Sequence, residues 1–520
     1  MSLVCVPDPR TDLLTEDQQL HTIHTSGQRV SYDVLTADSS QQDANLISAN
    51  WKIFPPSNQT IVERVIWVRS YVEVTSENAI AIANDLDTAP RQFPVSSIIR
   101  NVSVKINGET ISRTLGDFLH AELCYGNEAE DRRKCWSKTC AYPDQFQQLE
   151  NWRSAVEGGS ARNPAGRYGE NPQESLRGAF TYEVISDDVL RFVITEPVLI
   201  SPLSAGIKET SGMINVNEIY LDLQYDSLSS RFMTCGERQN PPQVDGITTT
   251  FYRRPECLMC YITPSQYSRL PAVSVYPYVK PREYPLPLSN LADGETRLVR
   301  SNAIRLSQVP KSVMLFCRRQ KQTATFDTPD SFLAIKRVSV NWNNETNLLS
   351  GASQQSLYDM SVRNGCNLSF QQFSKKRGSP LMLSFGRDIM LPSGLAAGVA
   401  GSFTLQVEMD VENVSGDDML CDFYMVLYDT GSFSISQNSA RASLGNLSPS
   451  MVLSAEVAGA KMTAHHHDHA VKGRSLLEDL SNMVPAHHAP VHSKQAEQKA
   501  PAMEDETGGR KVGGSLLRRR

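Results

Sequence analysis

The histidines are the residues of this 520-residue chain that could most readily do acid–base or metal chemistry, and their distribution is uneven. Seven of the ten lie near the C-terminal end, four of them in the sequence HHHDHA as His465, His466, His467 and His469. Neighbouring imidazoles can bind Zn, Ni or Cu, although a solvated tract of this kind favours adventitious binding. They also gain positive charge as the pH falls towards about 6.5, so we expect this cluster to be pH-responsive.

The chain ends in the basic segment GGRKVGGSLLRRR, whose glycines allow it to bend. Its cations would suit an anionic surface, either packaged DNA or the headgroups of an internal membrane. They are Arg510, Lys511, Arg518, Arg519 and Arg520. The net charge of the whole chain is −6, so any contact with nucleic acid would be local. A disordered tail without a partner is the competing interpretation.

The rest of the sequence lacks a recognisable catalytic arrangement. Only His21, His24 and His120 lie outside the tail, and there is no phosphate-binding loop, GxSxG motif or HExxH motif. A pair of catalytic carboxylates cannot be recognised from sequence, because such residues come together only in the fold. We therefore predict that the protein is not an enzyme and uses no cofactor.

The cysteines favour reduced, buried thiols over a metal site. Cys257 and Cys260 form one CxxC and Cys135 with Cys140 a looser pair, but no second pair lies at zinc-binding spacing. The sequence has no run of about 18 apolar residues and no signal peptide at its start. These features predict synthesis in the cytoplasm of a cell.

Runs of alternating, β-branched residues predict that strands position whatever site the protein has. Clear examples are residues 61–74, 96–108, 189–197 and 213–225, each bounded by turn residues. The pattern predicts an all-β fold of two jelly-roll sandwiches with short helices in loops and flexible termini. The predicted parts are an N-terminal arm (1–45), a first jelly roll (46–245) with a long loop insertion (127–177), a second jelly roll (246–456), and a flexible, His-rich, basic-ended tail (457–520).

One interruption of the strands, residues 347–365, has a helical pattern. Leu357, Tyr358 and Met360 contribute to an apolar stripe, and Asn364 with Gly365 supplies a left-handed stop. A helix in the connection between two strands can cover the flank of a sheet. Residues 114–126 show a second, shorter helical pattern.

Several of these runs resemble double jelly-roll major capsid proteins, especially those of Polinton-like viruses and their virophage and adenovirus-type relatives. In the second half they are SVNWNNETNLLSGASQQSLYDMSVRNGCNLSFQQF, GSPLMLSFGRDIMLPSGLAAGVAGSFTLQVEMDVEN and LYDTGSFSISQNSARASLGNLSPSMVLSA. In the first half, NVSVKINGETISRTLGDFLHAELCYGN resembles the strand, NG turn and helix of the first roll. The clearer similarity covers about 120 residues.

The resemblance implies a viral structural protein. Three copies would form a pseudo-hexagonal capsomer, and capsomers would build an icosahedral shell around double-stranded DNA. The expected partners are two further copies, neighbouring capsomers, and penton and minor capsid proteins. The expected location is the virion. Alternatives are a minor capsid or vertex protein, a β-sandwich carbohydrate-binding module, and a cupin-like or carboxylate-based enzyme, for which the strands contain too few histidines.

Overall fold

The computed structural model describes residues 2–7, 20–25 and 29–457, apart from 41–47, 58, 77–87, 91–92, 126–179, 187, 204–211, 227–231, 236–246, 265–269, 321–322, 324–331, 367, 377 and 438. The chain divides into two compact units, Met1–Ala455 and Glu456–Arg520. The predicted loop insertion (127–177) and nearly all of the predicted tail lie outside the described residues.

Strands dominate the described part of the chain. In chain order they are β1 (Ser2–Pro7), β2 (Leu20–Thr25), β3 (Arg29–Thr36), β4 (Ser39–Ser40), β5 (Ser48–Ile53), β6 (Ile61–Val62), β7 (Trp67–Ser76), β8 (Thr88–Pro90), β9 (Ile99–Ile106), β10 (Glu109–Thr114), β11 (Phe180–Ser186), β12 (Val189–Pro197), β13 (Ile219–Tyr225), β14 (Met233–Cys235), β15 (Ile247–Thr263), β16 (Val273–Pro287), β17 (Thr296–Arg300), β18 (Ile304–Gln308), β19 (Ser312–Arg319), β20 (Ala334–Trp342), β21 (Glu345–Leu348), β22 (Leu381–Ser384), β23 (Ala400–Glu412), β24 (Cys421–Ser436) and β25 (Ser439–Leu444).

The helices are short. They are α1 (Pro94–Ile98), α2 (Leu119–Leu123), α3 (Gln354–Arg363) and one π-helical turn (Gln372–Lys376). Residues 449–457 are also helical. The all-β class with short helices in loops, predicted from the alternating runs, is confirmed.

Two antiparallel sheets form the first sandwich. One has the strand order β10–β9–β13–β5–β4, and the other has β11–β12–β7–β15–β3 with β6 beside β15. Period-two alternation explains the burial: in β12, Leu190, Phe192 and Ile194 point inward and have no exposed surface, while the residues between them are half-buried. These side chains pack with Trp51 and Met213 in one continuous core, called the first core below.

The second sandwich repeats this arrangement with two five-stranded sheets. One has the order β16–β24–β19–β22 with β25 beside β24, and the other has β17–β23–β20–β21 with β18 beside β23. Its core, the second core, includes Trp342, which stacks on Phe403 with ring centroids 5.3 Å apart. Strand β19 is buried along its whole length, so both of its faces must be covered.

Helix α3 confirms the helix predicted in residues 347–365. The Ser353 hydroxyl accepts a hydrogen bond from the Ser356 amide and caps the N-terminus. At the other end Gly365 has a φ of 96°, its amide donates to the Val362 carbonyl, and the Cys366 amide donates to the Ser361 carbonyl. This pair of bonds is the Schellman arrangement, which needs a left-handed residue at the glycine position.

Two predicted boundaries need correction. The N-terminal arm was predicted to span residues 1–45, but β3 pairs with β15 as the edge strand of the first sandwich, and Ala37 lies in the first core. The second jelly roll was predicted to begin at 246, but β15 pairs with β7 and belongs to the first sandwich through Thr263. In both places the partner strand is distant in sequence, so local composition gave no sign of the pairing.

The proline-rich stretch that begins at Tyr276 lies within a strand, β16. Strand β16 pairs with β24 over fifteen residues and lies at the edge of its sheet. All of its prolines occupy odd-numbered positions, so their ring nitrogens face the same side. They are Pro277, Pro281, Pro285 and Pro287. An edge strand tolerates proline on the side that has no neighbouring strand.

The two sandwiches share one structural element. The first half of β16, the second half of β24, and β25 form a three-stranded ribbon, and its inner side chains lie in the first core. Tyr276, Tyr278, Phe433 and Ile435 are these side chains, and each is less than 10% exposed. The other half of β24 contributes to the second core. The ribbon therefore ties the two halves of the chain together.

Candidate functional site: the contact between the two sandwiches

Helix α2 of the first half packs on the sheet of β19 and β24 in the second half. Phe118 and Ala121 form a buried apolar cluster with Met314, Phe316 and Val426. This contact covers the outer face of β19 and accounts for the burial of the whole strand. Burying large apolar side chains stabilises such a contact by roughly 1.5–3 kcal/mol each, so the two sandwiches form a permanent unit.

A polar group adjoins this apolar cluster. The Arg113 guanidinium, at the end of β10, donates to both oxygens of the Glu122 carboxylate on α2, at 2.8 and 2.9 Å. The Tyr428 hydroxyl on β24 donates to the same carboxylate at 2.8 Å. Glu122 thus connects a strand of the first sandwich with a strand of the second. Bidentate and charge-assisted hydrogen bonds of this kind are strong and fix geometry.

A second arginine joins the sandwiches from the opposite direction. Arg318 on β19 is 3% exposed, and its Nη1 atom donates to the Gly116 carbonyl at 3.2 Å and to the Asp117 carbonyl at 2.8 Å. Near the end of α2, the Tyr125 hydroxyl donates to the Pro380 carbonyl. The turn before α2 and the residues after it are therefore both held by the second half of the chain.

The electrostatics of this contact follow from burial. Burial raises the pKa of Tyr428 well above its usual value, and the neighbouring Glu122 carboxylate raises it further. Burial alone would lower the pKa of Arg113, but the attraction of Glu122 reverses the effect and the pKa of Arg113 is raised. Arg113 therefore keeps its positive charge, and the Tyr428 phenol keeps its proton.

Glu283 on β16, which also lies near Arg113, has a pKa in the neutral range. Burial raises the pKa of Glu283 to about 7, although Arg113 and a hydrogen bond with Thr114 act in the opposite direction. The negative charges of Asp117 and Glu122 add to the increase. Two carboxylates, those of Glu122 and Glu283, thus interact with the Arg113 guanidinium, and Glu283 takes up a proton near neutral pH.

A cavity of about 80 Å³ lies beside this group. Ser112 and Arg113 line it from the first sandwich, and Lys280 and Tyr428 line it from the strands of the second. The polar groups of Arg113, Glu122 and Tyr428 are already engaged with one another, so the arrangement holds structure together and offers no free nucleophile. Within the described ranges, no group of three or more His, Cys, Asp or Glu side chains could hold a metal ion.

The residues singled out from the sequence lie elsewhere. The cluster His465, His466, His467 and His469 and the cations Arg510, Lys511, Arg518, Arg519 and Arg520 lie outside the described residues. His120 is buried, and its Nε2 atom lies 2.9 Å from the Ser97 hydroxyl oxygen. No helix of the described residues is long and apolar enough to cross a bilayer.

The CxxC motif does not form a site. Cys257 is buried in the first core, whereas Cys260 lies three positions further along β15 and is half-buried on the other face. Side chains at an odd spacing in a strand point to opposite faces of the sheet, so these two thiols cannot converge on one ion. Both are free cysteines.

The residues of the contact were not found from the sequence. Arg113 and Glu122 lie inside the NVSVKING…CYGN passage, but Glu283 and Tyr428 are more than 160 residues away from them. No periodicity or motif links positions so distant. One sequence signal was present: Arg113 and Glu122 carry opposite charges, are nine residues apart, and lie in a predicted strand and the predicted helix that follows it.

The chain matches two family models that describe the two domains of one capsid protein. The model of the Sputnik virophage major capsid protein first domain matches residues 1–190. The model of the major capsid protein V20 C-terminal domain matches residues 286–377 and 371–431. Together the matches include α2 and β19, which form the contact described above.

Full-length comparisons agree with these matches. The chain is 27% identical over 503 residues to the putative capsid protein V20 of Sputnik virophage, covering 88% of this chain and 82% of that protein. It superposes on a chain of the 3.5 Å cryo-EM structure of the Sputnik virophage with a TM-score of 0.73 and 26% identity, covering 87% and 95% of the two chains. The mavirus major capsid protein gives a TM-score of 0.65 at 13% identity, covering 87% and 98%. This structural similarity confirms the predicted double jelly-roll fold.

Proposed function

Because the chain is a double jelly-roll major capsid protein, similar to those of virophages, we propose that three copies form a pseudo-hexagonal capsomer and that capsomers build an icosahedral shell around double-stranded DNA. The chain is a structural protein of the virion and not an enzyme. The observation that carries the proposal is the full-length superposition on a chain of the Sputnik virophage structure, which includes both sandwiches.

The geometry of the contact between the sandwiches supports a trimer. Helix α2, Arg318 and the shared ribbon hold the two jelly rolls of one chain together. A closed ring of three such chains would present six rolls, which approximates a hexagon, and heterologous contacts form a closed ring when the rotation between subunits closes. A minor capsid protein with a single roll would not match family models for both domains.

The finer partners are part of the same proposal. Neighbouring capsomers surround each trimer, and penton and minor capsid proteins complete the shell. The tail beyond residue 456 lies on the inner face and contacts packaged DNA or an internal membrane through Arg510, Lys511 and Arg518–Arg520. His465–His469 strengthen this contact as the pH falls. The protein is made in the host cell cytoplasm.

The division of the chain belongs to the proposal as well. An arm precedes β3, the first jelly roll runs through Thr263, the second runs from β16 to residue 456, and the tail follows. The exception is the ribbon, which belongs to the second roll by pairing and to the first by its buried side chains.

The test is the mass of the purified full-length protein. Size-exclusion chromatography with light scattering at micromolar concentration should give three times the chain mass of 57.7 kDa or a larger multiple. Negative-stain images should show hexagonal particles, and each interface should bury more than about 1,000 Å². A stable monomer that forms neither capsomers nor shells would overturn the proposal.

A further inference from the structure

Strand β3 carries three of its four apolar residues on the side turned away from the first core; the fourth, Leu35, packs against that core. Val30, Tyr32 and Val34 are 51%, 76% and 57% exposed. Ser31 and Asp33, between them, lie opposite Tyr261 and Met259 of the first core, although Ser31 is only half-buried and Asp33 is exposed at the strand edge. In a sheet that faces water on one side the polar residues normally point outward, so this alternation is inverted.

The register shows that the neighbouring strand extends this apolar surface. Residues directly opposite one another in an antiparallel pair point to the same side of the sheet. The outward pairs are Val30 with Ile262, Tyr32 with Cys260, and Val34 with Leu258, whereas the alternate residues of β15, such as Met259, are buried in the first core. These six residues are called the β3 face below.

The β3 face lies at a free sheet edge and has an acidic rim. Among the described strands, β3 pairs with β15 on one side and with no strand on the other. The backbone amide of Glu63 donates to the Cys260 carbonyl at 3.0 Å, which places this acidic residue beside the face. Burial raises the pKa of the Cys260 thiol to about 11, and the Glu63 carboxylate adds to the increase, which indicates that the two side chains are close.

A second exposed apolar surface lies on the ribbon. Val273 and Val275 are 54% and 65% exposed, and Pro277 follows them on the same side of β16. Val275 lies opposite Ser434, and Ser434 lies opposite the exposed Arg441 of β25. The outward residues of these three strands, called the β16 face, combine two valines, a row of serines and one arginine.

We propose that the β3 face of one copy packs against the β16 face of the next copy in the capsomer. The inference rests on the proposed trimer and names the surfaces that join its subunits. A closed ring of identical chains needs two different, complementary surfaces on each chain.

Three observations favour this pairing of surfaces. Within the described strands, these are the two places where consecutive outward positions carry exposed aliphatic or aromatic side chains. The faces have opposite charges, Glu63 on one and Arg441 on the other, and opposite charges across an interface select the partner. The Tyr32 hydroxyl also meets a surface rich in serine hydroxyls, and tyrosine is enriched at protein interfaces because it supplies both apolar area and a hydrogen bond.

The first arm of the test removes the apolar contact. The full-length double variant Tyr32→Asp, Val34→Asp should dissociate at a protein concentration more than tenfold above that of the wild type, measured by light scattering across a dilution series. The control is Leu298→Asp, because Leu298 is 62% exposed on β17 and lies outside both faces. Circular dichroism of each variant checks that the chain is folded. A folded double variant that remains trimeric overturns the inference.

The second arm exchanges the charges. Glu63→Arg and Arg441→Glu should each weaken the trimer, and the double variant should restore it, because each substitution alone places like charges across the interface. If both single variants weaken the trimer and the double variant does not restore it, the proposed pairing of these two faces is wrong. If the wild type itself is monomeric, the proposed function fails; if the wild type is trimeric and the variants are too, only the inference fails.

Discussion

The Tyr428 hydroxyl donates a hydrogen bond of 2.8 Å to the Glu122 carboxylate, although 306 positions separate the two residues in the chain. The same carboxylate also accepts two hydrogen bonds from Arg113. One side chain therefore has partners in both sandwiches.

Tyr428→Phe removes this hydrogen bond and keeps the aromatic ring. A hydrogen bond to a charged group contributes roughly 1.5–3 kcal/mol, so we expect the free energy of unfolding to fall by about 2 kcal/mol. Urea unfolding followed by tryptophan fluorescence gives the value. In the background Glu122→Gln, the same substitution should cost clearly less, because the charged acceptor is gone. An equal cost in both backgrounds would show that Tyr428 acts through packing alone.

Glu283→Gln tests the pH dependence of the contact. The folded pKa of Glu283, about 7, lies above the usual value of 4.5, so the folded protein binds a proton that the unfolded chain releases between these pH values. The stability that this proton contributes is fully present below about pH 4.5 and is lost as the pH rises through 7. Because Glu283 is partly exposed, we expect the loss to be about 1–2 kcal/mol.

The measurement is the difference in unfolding free energy between wild type and Glu283→Gln at pH 5, 6, 7 and 8. The free energy of unfolding of the variant should increase relative to that of the wild type as the pH rises, since an amide does not ionise. A difference that stays constant across this range would mean that Glu283 ionises normally in the fold.

Gly365→Val tests the end of helix α3. Gly365 has a φ of 96°, a conformation that a β-branched residue adopts only with strain, so we expect a loss of more than about 1 kcal/mol and less soluble trimer. The matched control is Gly351→Val, in the loop before the helix, where an added Cβ meets open space. Thermal melting compares the two. Equal melting temperatures would place the helix stop elsewhere.

Deletion of residues 500–520 tests the role proposed for the tail. Trimers should remain intact, while binding to DNA or to vesicles containing anionic lipid should weaken, because five cations are lost: Arg510, Lys511, Arg518, Arg519 and Arg520. Binding by the wild type should decrease as salt rises. Fluorescence anisotropy and vesicle sedimentation at low salt provide the measurement. Equal binding by both proteins would refute this role and leave the capsid function untouched.

Local signals explain what could be predicted from the sequence. Helix α3 was predicted correctly because the residues that end it, Asn364 and Gly365, directly follow it in the sequence and are typical of a helix C-terminus. The strands were predicted because alternation is also a local property. The double jelly-roll class followed from the series of such strands together with the resemblance to capsid proteins.

Pairing between distant residues explains what could not be predicted. Strand β3 was predicted to be part of an arm because the residues around it are polar. Its partner strand, β15, lies more than 200 positions away, so nothing nearby in the sequence indicated the pairing. Strand β16 could not be recognised from the sequence because its prolines normally break strands, and only a free edge makes them acceptable. The contact of Glu122, Glu283 and Tyr428 depends on three elements that meet only after both sandwiches have formed.

The shared ribbon restricts how this protein can change over time. Tyr276, Tyr278, Phe433 and Ile435 are encoded with the second half of the chain but must fit the core of the first. A recombination event in the segment between β15 and β16 would join a ribbon from one lineage to a first sandwich from another, and the four side chains would then meet a core of a different shape. Recombination between lineages is therefore expected to transfer the coding region for the whole chain. Where it occurs between β15 and β16, we expect compensating substitutions in both the ribbon and the first core.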